Sequence, residues 1–437
     1  MTVQNDAVSS GAGVSAGFSP AYRHYILAIL TLMYVVNYLD RQILAILLQP
    51  IKAEFGVSDA LLGLLAGPTF ALFYATLGIP IARLADRHSR RNIIAVSMGL
   101  FSIMTVICGL AGQFWQLLIA RVFTGVGEAG TGPAAQAVIS DLYPPEKRAA
   151  AQSFYSAGLN IGLLIAFFAG GWIAQTYGWR EAFLAAGIPG LILFFAVFFT
   201  VREPVRGHSE MLADDGVRPS LGAVTRFLWS QRSFHWIAFG AAMTSFGGYG
   251  ATAFVPAFLV RSHHLTLSEV GLIFAGIAGV GGWIGTFLSG VIADRMGKRD
   301  VRWNMYVPIG AVFLALPFQP VFYLAHNTTI AVLAAIIPSS MGAVFLGPCV
   351  TMVQGLVPPR MRATAAALFL FILNIIGLGL GPQTVGLLST FLEPTLGTDS
   401  LRYALLVTMV SGAIGGICYW RASKTLKADL ARVTRPV

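Results

Sequence analysis

The chain has 437 residues, of which 56% are hydrophobic and 11% charged, whereas a soluble domain carries about 25% charged residues. With a mean hydropathy of +0.72 it lacks the polar surface that soluble domains of this total length would need. Its net charge of +10 would suit nucleic acid only in a soluble protein. The cysteines Cys108, Cys349 and Cys418 stand far apart in apolar stretches, which excludes a disulfide scaffold and a cysteine-rich metal site.

In chain order, residues 1–21 are polar and rich in Gly and Ser, and we expect a disordered tail without a cleavable signal. A membrane core of about 30 Å needs about 20 apolar residues per helix. Such stretches follow at 24–49 (interrupted by Asp40 and Arg41), 60–82, 92–112, 114–140 (interrupted by Arg121 and Glu128), 149–179 and 182–201. A charged segment, 202–232, contains Pro204, Gly207, Gly216 and Pro219. Its Leu221 to Trp229 part reads either as an amphipathic surface helix or as unstructured linker. Six more stretches follow at 236–260, 270–293, 303–325, 327–359, 363–392 and 403–420. All are too long for barrel strands of about 10 residues. The expected architecture is all-α, with twelve transmembrane helices in two six-helix bundles, 22–201 and 233–423, joined by the linker and followed by a cytoplasmic tail, 424–437.

Lys and Arg fix the expected orientation. With the N-terminus inside, 23 of the 29 fall on the inner side, 4 in outer loops and 2 within the membrane. Both termini are therefore expected in the cytoplasm, with the chain crossing the plasma (inner) membrane many times. The short tail and compact loops suggest a bacterial source.

The two bundles repeat each other. Ala85-Asp86-Arg87 recurs as Ala293-Asp294-Arg295 at an offset of 208, Pro144-Pro145 as Pro358-Pro359 at 214, Leu159-Asn160-Ile161 as Leu373-Asn374-Ile375 at 214, and Gly132-Pro133 as Gly347-Pro348 at 215. Four matches in one order indicate duplication. Parallel repeats in a helical membrane protein place a substrate site between the halves near the midplane, with the halves rocking about it.

These residues resemble the major facilitator superfamily of secondary transporters. Asp86-Arg87-His88-Ser89-Arg90-Arg91 is similar to its signature between the second and third helices, although Ala82 and Ser89 stand where glycines are usual. Gly290 through Asp294-Arg295-Met-Gly297-Lys298-Arg299 is closer to that pattern, and Arg121-Val-Phe-Thr-Gly125 resembles the fourth-helix signature of proton-linked members. Within the superfamily, Asn37-Tyr38-Leu39-Asp40-Arg41 and Gly125-Val126-Gly127-Glu128-Ala129 resemble the Spinster-like family. That family includes eukaryotic exporters of sphingosine-1-phosphate and lysophospholipids, so the resemblance implies an anionic, lipid-like amphiphile as substrate.

A charge at the membrane centre costs at least about 3 kcal/mol on insertion scales and needs a partner or a function. Four are expected there: Asp40, Arg41, Arg121 and Glu128. Burial and a nearby Arg act oppositely on a carboxylate's proton affinity. Movement of Arg121 relative to Asp40 or Glu128 would therefore load and release a proton, with Arg41 free to hold an anionic headgroup. The plainer reading is a permanent ion-pair lock between the first and fourth helices. Cavity-lining candidates are Tyr34, Asn37, Tyr38, Phe70, Tyr155, Asn160, Tyr249, Phe254 and Asn374. Asp86, Arg87, Arg90, Arg91, Asp294 and Arg295 are expected to close the cytoplasmic side, each Asp capping a neighbouring helix N-terminus. Gly247, Gly248 and Gly250 are hinge candidates, since glycines weaken a helix.

No nucleotide-binding loop or hydrolase motif is present, and neither an enzyme activity nor a cofactor is expected. The partners expected are a lipid-like or organic anion, protons and membrane lipids, with no nucleic acid, the chain acting as a monomer. The alternatives are a proton-linked carrier of small organic anions, a drug exporter, or a membrane sensor that binds without transport.

Overall fold

The computed structural model describes residues 18–204 and 220–433, without the side chains of Asp86 and Pro145. The expected N-terminal tail, but for its last residues, the middle of the linker and the Asp86 gate contact lie outside the described residues. Among the described residues, twelve helical rods run back and forth in alternation. The first six are TM1 (Pro20–Phe55), TM2 (Asp59–Ala66 then Pro68–Arg87), TM3 (Arg90–Gly109), TM4 (Phe114–Glu128 then Thr131–Leu142), TM5 (Pro145–Thr176) and TM6 (Trp179–Thr200). A surface helix, Leu221–Trp229, precedes TM7 (Arg232–His263), TM8 (Leu267–Gly297), TM9 (Trp303–Leu324) and TM10 (Thr328–Gly355). TM11 (Arg362–Leu396) and TM12 (Ser400–Val433) complete the second half. Ten continuous segments are long and apolar enough to cross a membrane; the tally is twelve because Pro359–Val433 holds two crossings and TM4 is broken.

Local chemistry sets the ends. Ser19 accepts from the Tyr22 N–H to start TM1, and Gly56 ends it at φ 63°, a backbone state that glycine adopts freely. TM2 breaks at Gly67 before Pro68, whose ring cannot continue a hydrogen-bond ladder. TM4 breaks immediately after Glu128. Glycine-rich π-helical segments interrupt TM8 at Ala275–Gly281 and TM11 at Asn374–Leu380. TM7 runs unbroken through Gly247, Gly248 and Gly250. TM12 runs on as helix to Val433, so the region expected as a tail is largely helical.

With an even number of crossings, Pro20 and Val433 lie on one face, here the terminal face. The apolar cores show how the halves meet. Toward the terminal face each half has its own core, one built around Ile26, Ile94 and Ile139 and the other around Phe234, Phe369 and Tyr419. Toward the opposite face a single core joins both halves, mixing Leu47 and Phe183 with Phe258 and Leu405. Glycines bring the rods together there. A Cβ on Gly63 would lie 2.7 Å from the Pro382 carbonyl oxygen, one on Gly67 would lie 2.6 Å from that of Gly379, and one on Gly171 2.6 Å from that of Leu267. TM2 thus crosses TM11, and TM5 crosses TM8, at backbone contact distance. The halves are sealed at the opposite face and separate toward the terminal face.

Candidate functional site

All four expected intramembrane charges meet between TM1 and TM4, as two separate pairs. Arg121 Nη1 lies 3.0 Å from Asp40 Oδ2, and Arg41 Nη2 lies 2.5 Å from Glu128 Oε2. Neighbouring residues on TM1 thereby pair with residues two turns apart on TM4. Thr105 Oγ1 of TM3 donates to Asp40 Oδ1 at 2.5 Å. Asn37 Nδ2 donates to Thr131 Oγ1 at 2.9 Å, and that hydroxyl donates to the Glu128 carbonyl, tying TM1 across the TM4 break. Asn37 is therefore buried in the helix packing and does not line open space in this state, a correction to its expected place in the cavity. At this site the sequence reading missed Thr105 and also Tyr74, whose ring lies 4.7 Å from the Arg41 guanidinium. Nothing separates a functional Thr or Tyr in an apolar run from one that merely packs.

The four charges are not equally enclosed. The Arg121, Asp40 and Glu128 side chains are at most 2% exposed, while that of Arg41 is 13% exposed. The Arg41 guanidinium sits 5.2 Å from the Tyr38 ring, 4.9 Å from Phe70 and 4.7 Å from Tyr74. Phe70 faces Arg121 as well, at 5.3 Å. Aromatic faces stabilise a desolvated cation by about 2 kcal/mol, so the cage holds the Arg41 guanidinium in its place. Glu128 Oε1, Arg41 Nε and Arg121 Nε are buried without hydrogen-bond partners, and the pairs retain unused donors and an unused acceptor.

Of the aromatic candidates, Phe70 and Tyr155 are buried in the packing and line no open space in this state, contrary to expectation, while Tyr34, Tyr38 and Tyr249 are half-buried. Tyr34 stacks on Tyr155 at 4.5 Å and meets Tyr38 edge-on at 5.1 Å. Phe70 packs with Tyr74, Ala71, Leu378 and Tyr249, bringing TM2, TM7 and TM11 to the Arg41 cage. Asn160 and Asn374 are half-buried, and Asn374 opens the π segment of TM11. Phe254 is fully buried in the shared core at the opposite face, so it lines no open cavity in this state, contrary to expectation; a TM7 aromatic four residues past Gly250 turns into the core. Of the hinge candidates, Gly247 packs against the Thr408 carbonyl of TM12 and Gly250 against Gly381 of TM11, while Gly248 faces open space.

A second charged cluster seals the opposite face, and the sequence reading missed it. Asp59 is fully buried. Arg261 of TM7 donates to both its oxygens, at 2.7 and 2.8 Å, and Ser389 of TM11 donates at 2.6 Å. Lys52 bridges Asp59 at 3.0 Å and Glu393 at 3.4 Å. Asp59, one residue outside the charge-free run 60–82, and Arg261, one residue outside 236–260, read as loop charges.

On the terminal face, the expected gate residues stay within their own halves. Arg90 pairs with Asp141. Glu203 accepts from the backbone N–H groups of Arg90 and Arg91, both at 2.8 Å, and from Ser89 Oγ. The anion at the TM3 N-terminus is thus Glu203. Arg87 is exposed. Asp294 and Arg295 are exposed as well, because TM8 remains helical to Gly297. The acid with partners at this turn is instead Asp300, accepting from the Arg302 N–H at 3.0 Å, the Arg302 guanidinium and Lys427. These bonds hold the Asp300 carboxyl well below the usual carboxylate range.

The Major Facilitator Superfamily profile matches residues 30–382. The chain belongs to this superfamily. It is 32% identical to an "MFS-type efflux pump" of Mycolicibacterium smegmatis, over 93% of this chain and 94% of that protein. It is 26% identical to Protein spinster homolog 1 of Xenopus tropicalis, over 94% of this chain and 83% of that one. A bacterial homologue of the human lysosomal transporter Spinster, solved inward-facing and unoccupied, superposes with a TM-score of 0.87 at 32% identity, covering 94% of this chain and 99% of that one. The chain is an MFS transporter of the Spinster type, not an enzyme.

Proposed function

We propose that this Spinster-type transporter is driven by protons and moves an anionic amphiphile by alternating access, its halves rocking about the Arg41 cage. The observation that carries the reading is the crossed pairing Arg41–Glu128 and Arg121–Asp40, in which Arg41 alone of the four is more than 2% exposed. Protonation of Glu128 removes the charge that holds Arg41, and the freed guanidinium can take an anionic headgroup. Departure of the headgroup restores the pair and releases the proton. Asp40 and Arg121 act as the reserve pair behind them, with Thr105 orienting Asp40. Aromatic walls beside Arg41 suit an amphiphile better than a sugar. The positive-inside bias makes the terminal face cytoplasmic, so the conformation seen here is the inward-facing one. When the halves tilt the other way, Arg87, Arg90, Arg91, Asp86, Asp294 and Arg295 close that side.

The test uses the full chain in proteoliposomes with an imposed pH gradient and a fluorescent anionic lysophospholipid. Glu128→Gln and Asp40→Asn should each lower gradient-driven movement at least tenfold. A normal response to pH in both would sink the proton role. The Mycolicibacterium relative is named an efflux pump, which favours export as a second reading, with drugs as the cargo to test. Competition of the lysophospholipid against aromatic acids and cationic drugs separates the two, since cargo chemistry decides which competitor displaces it.

A further inference from the structure

TM12 presents one exposed stripe to the bilayer. Tyr403, Val407, Val410, Ile414, Ile417 and Trp420 stand on it, spaced by three and four residues as one face of a helix requires. From Tyr403 to Trp420 the helix rises about 26 Å, close to the hydrocarbon thickness of a bilayer, about 30 Å. An aromatic ring stands at each end, where Tyr and Trp gather in membrane proteins. Trp420 therefore marks the membrane boundary at the terminal face. The exposed residues that follow it, Arg421 and Lys424, stand at headgroup depth.

Both cations rest on indole faces. The Arg421 guanidinium lies 5.4 Å from the Trp236 ring of TM7, and Lys424 Nζ lies 3.4 Å from the Trp420 ring. An indole face attracts a cation and so fixes where its charge stands. TM7 is locked beside TM12 at this level, because the Ser233 N–H donates to Asp429 Oδ2 at 2.7 Å and the Ser233 hydroxyl lies 2.7 Å from that of Thr425. Arg232, exposed one turn before Trp236, extends the patch. Neighbouring basic residues are already neutralised: Arg302 and Lys427 pair with Asp300, and Arg432 pairs with Asp429. Among the described residues, Arg232, Arg421 and Lys424 have no acidic partner. The anion that would complement them must come from outside the chain.

We infer that this face of TM7 and TM12 binds an anionic phospholipid of the leaflet at the terminal face, its phosphate held by Arg421 and Lys424 and its chains laid along the apolar stripe of TM12. Arg matches a phosphate with two parallel donors, and basic residues just outside a span attract anionic lipids. A free phosphate would use the charges alone, whereas a lipid uses the charges and the apolar stripe that runs into them. The site lies on the bilayer-facing surface of one half, apart from the Arg41 cage, and does not depend on what the transporter carries.

The test titrates the full chain in detergent micelles with dioleoyl phosphatidylglycerol and, separately, with dioleoyl phosphatidylcholine, and counts bound lipid by native mass spectrometry. The anionic lipid should bind in preference to the zwitterionic one. Arg421→Gln with Lys424→Gln should weaken its binding about twentyfold, since each cation at the membrane surface contributes about fivefold. The exchanged pair Arg421→Lys with Lys424→Arg keeps both charges and should keep the lipid, which separates loss of the site from loss of the fold. Lys298→Gln with Arg299→Gln removes the same charge from exposed positions at the end of TM8 and should leave binding unchanged, as should Arg41→Gln. Equal binding of the two lipids overturns the inference. So do equal losses in the TM8 and TM12 double variants, which would mark net charge in place of a site, and loss in Arg41→Gln, which would move the lipid to the cage. Displacement by an excess of glycerol phosphate would make this a site for free anions and overturns it as well.

Discussion

Removing Asp59 alone should cost more stability than removing Asp59 and Arg261 together. Asp59→Leu leaves Arg261 facing a buried apolar site, where breaking one member of a buried pair costs roughly 3 kcal/mol. The double variant Asp59→Leu, Arg261→Met replaces both charges by apolar groups and should recover much of that loss. Thermal unfolding of the two variants in detergent measures the difference; equal losses would show that the pair contributes nothing at this face. The same scale marks what the sequence could and could not say. Asp40, Arg41, Arg121 and Glu128 stood out because each interrupts an apolar run. Which acid meets which base depends on helix rotation, and the crossed arrangement emerged only when TM1 and TM4 were placed together. Asp59 and Arg261 fell one residue outside charge-free stretches and looked solvated, since burial at a span's end depends on the facing helix.

Helix crossings carry the contact between halves, and glycines set their distance. Gly67→Val would drive a side chain into the Gly379 carbonyl of TM11, 2.6 Å from the Cβ position. The expected result is a widened opposite face and a population shifted away from the state seen here. Spin labels at Val57 and Thr398, measured by pulsed electron resonance, should show a longer distance distribution; an unchanged distribution would mean the crossing does not govern closure. The sequence displayed these glycines without their partners, and their packing role was legible only in general terms. The π segments of TM8 and TM11 were invisible, because a widened turn leaves no mark in hydropathy. At the TM8–TM9 turn, Asp300 binds Arg302 and Lys427, joining TM9 to the end of TM12. Its carboxyl titrates below its unfolded value. The stabilising contact is therefore complete above the ordinary carboxylate range and is lost as pH falls through the folded value. The protection of the Leu426–Val433 amides, taken as exchange relative to the intrinsic rate at each pH, should fall on strong acidification in the wild type. In Asp300→Asn that protection should be low already at neutral pH, and a pH response of protection equal to wild type there would assign the effect to another group.

The arrangement of the cores suits the alternating access proposed above. One core unites the halves at the opposite face, while two independent cores serve the terminal face. Opening the opposite face must split the shared core, and closing the terminal face must bring the separate ones together, so rocking exchanges one interface for another with both bundles intact. The duplication in the sequence implied two bundles, but not which face was closed, because in a rocking mechanism both states use the same helices and differ only in tilt. Lys52 and Glu393 span the closed face at 3.4 Å, one from TM1 and the other from TM11. Cysteines at those two positions, joined by a short bifunctional thiol reagent with a cleavable disulfide, should clamp that face shut. Transport in proteoliposomes should then fall below a tenth of the uncross-linked rate and return after reduction, while each single-cysteine variant treated alike keeps its activity. Native Cys108, Cys349 and Cys418 are buried, which limits the reagent to the introduced pair. Transport that persists in the fully cross-linked protein would mean that cargo leaves without separation of TM1 from TM11, and a rigid rocking of halves would then have to give way to a smaller local gate.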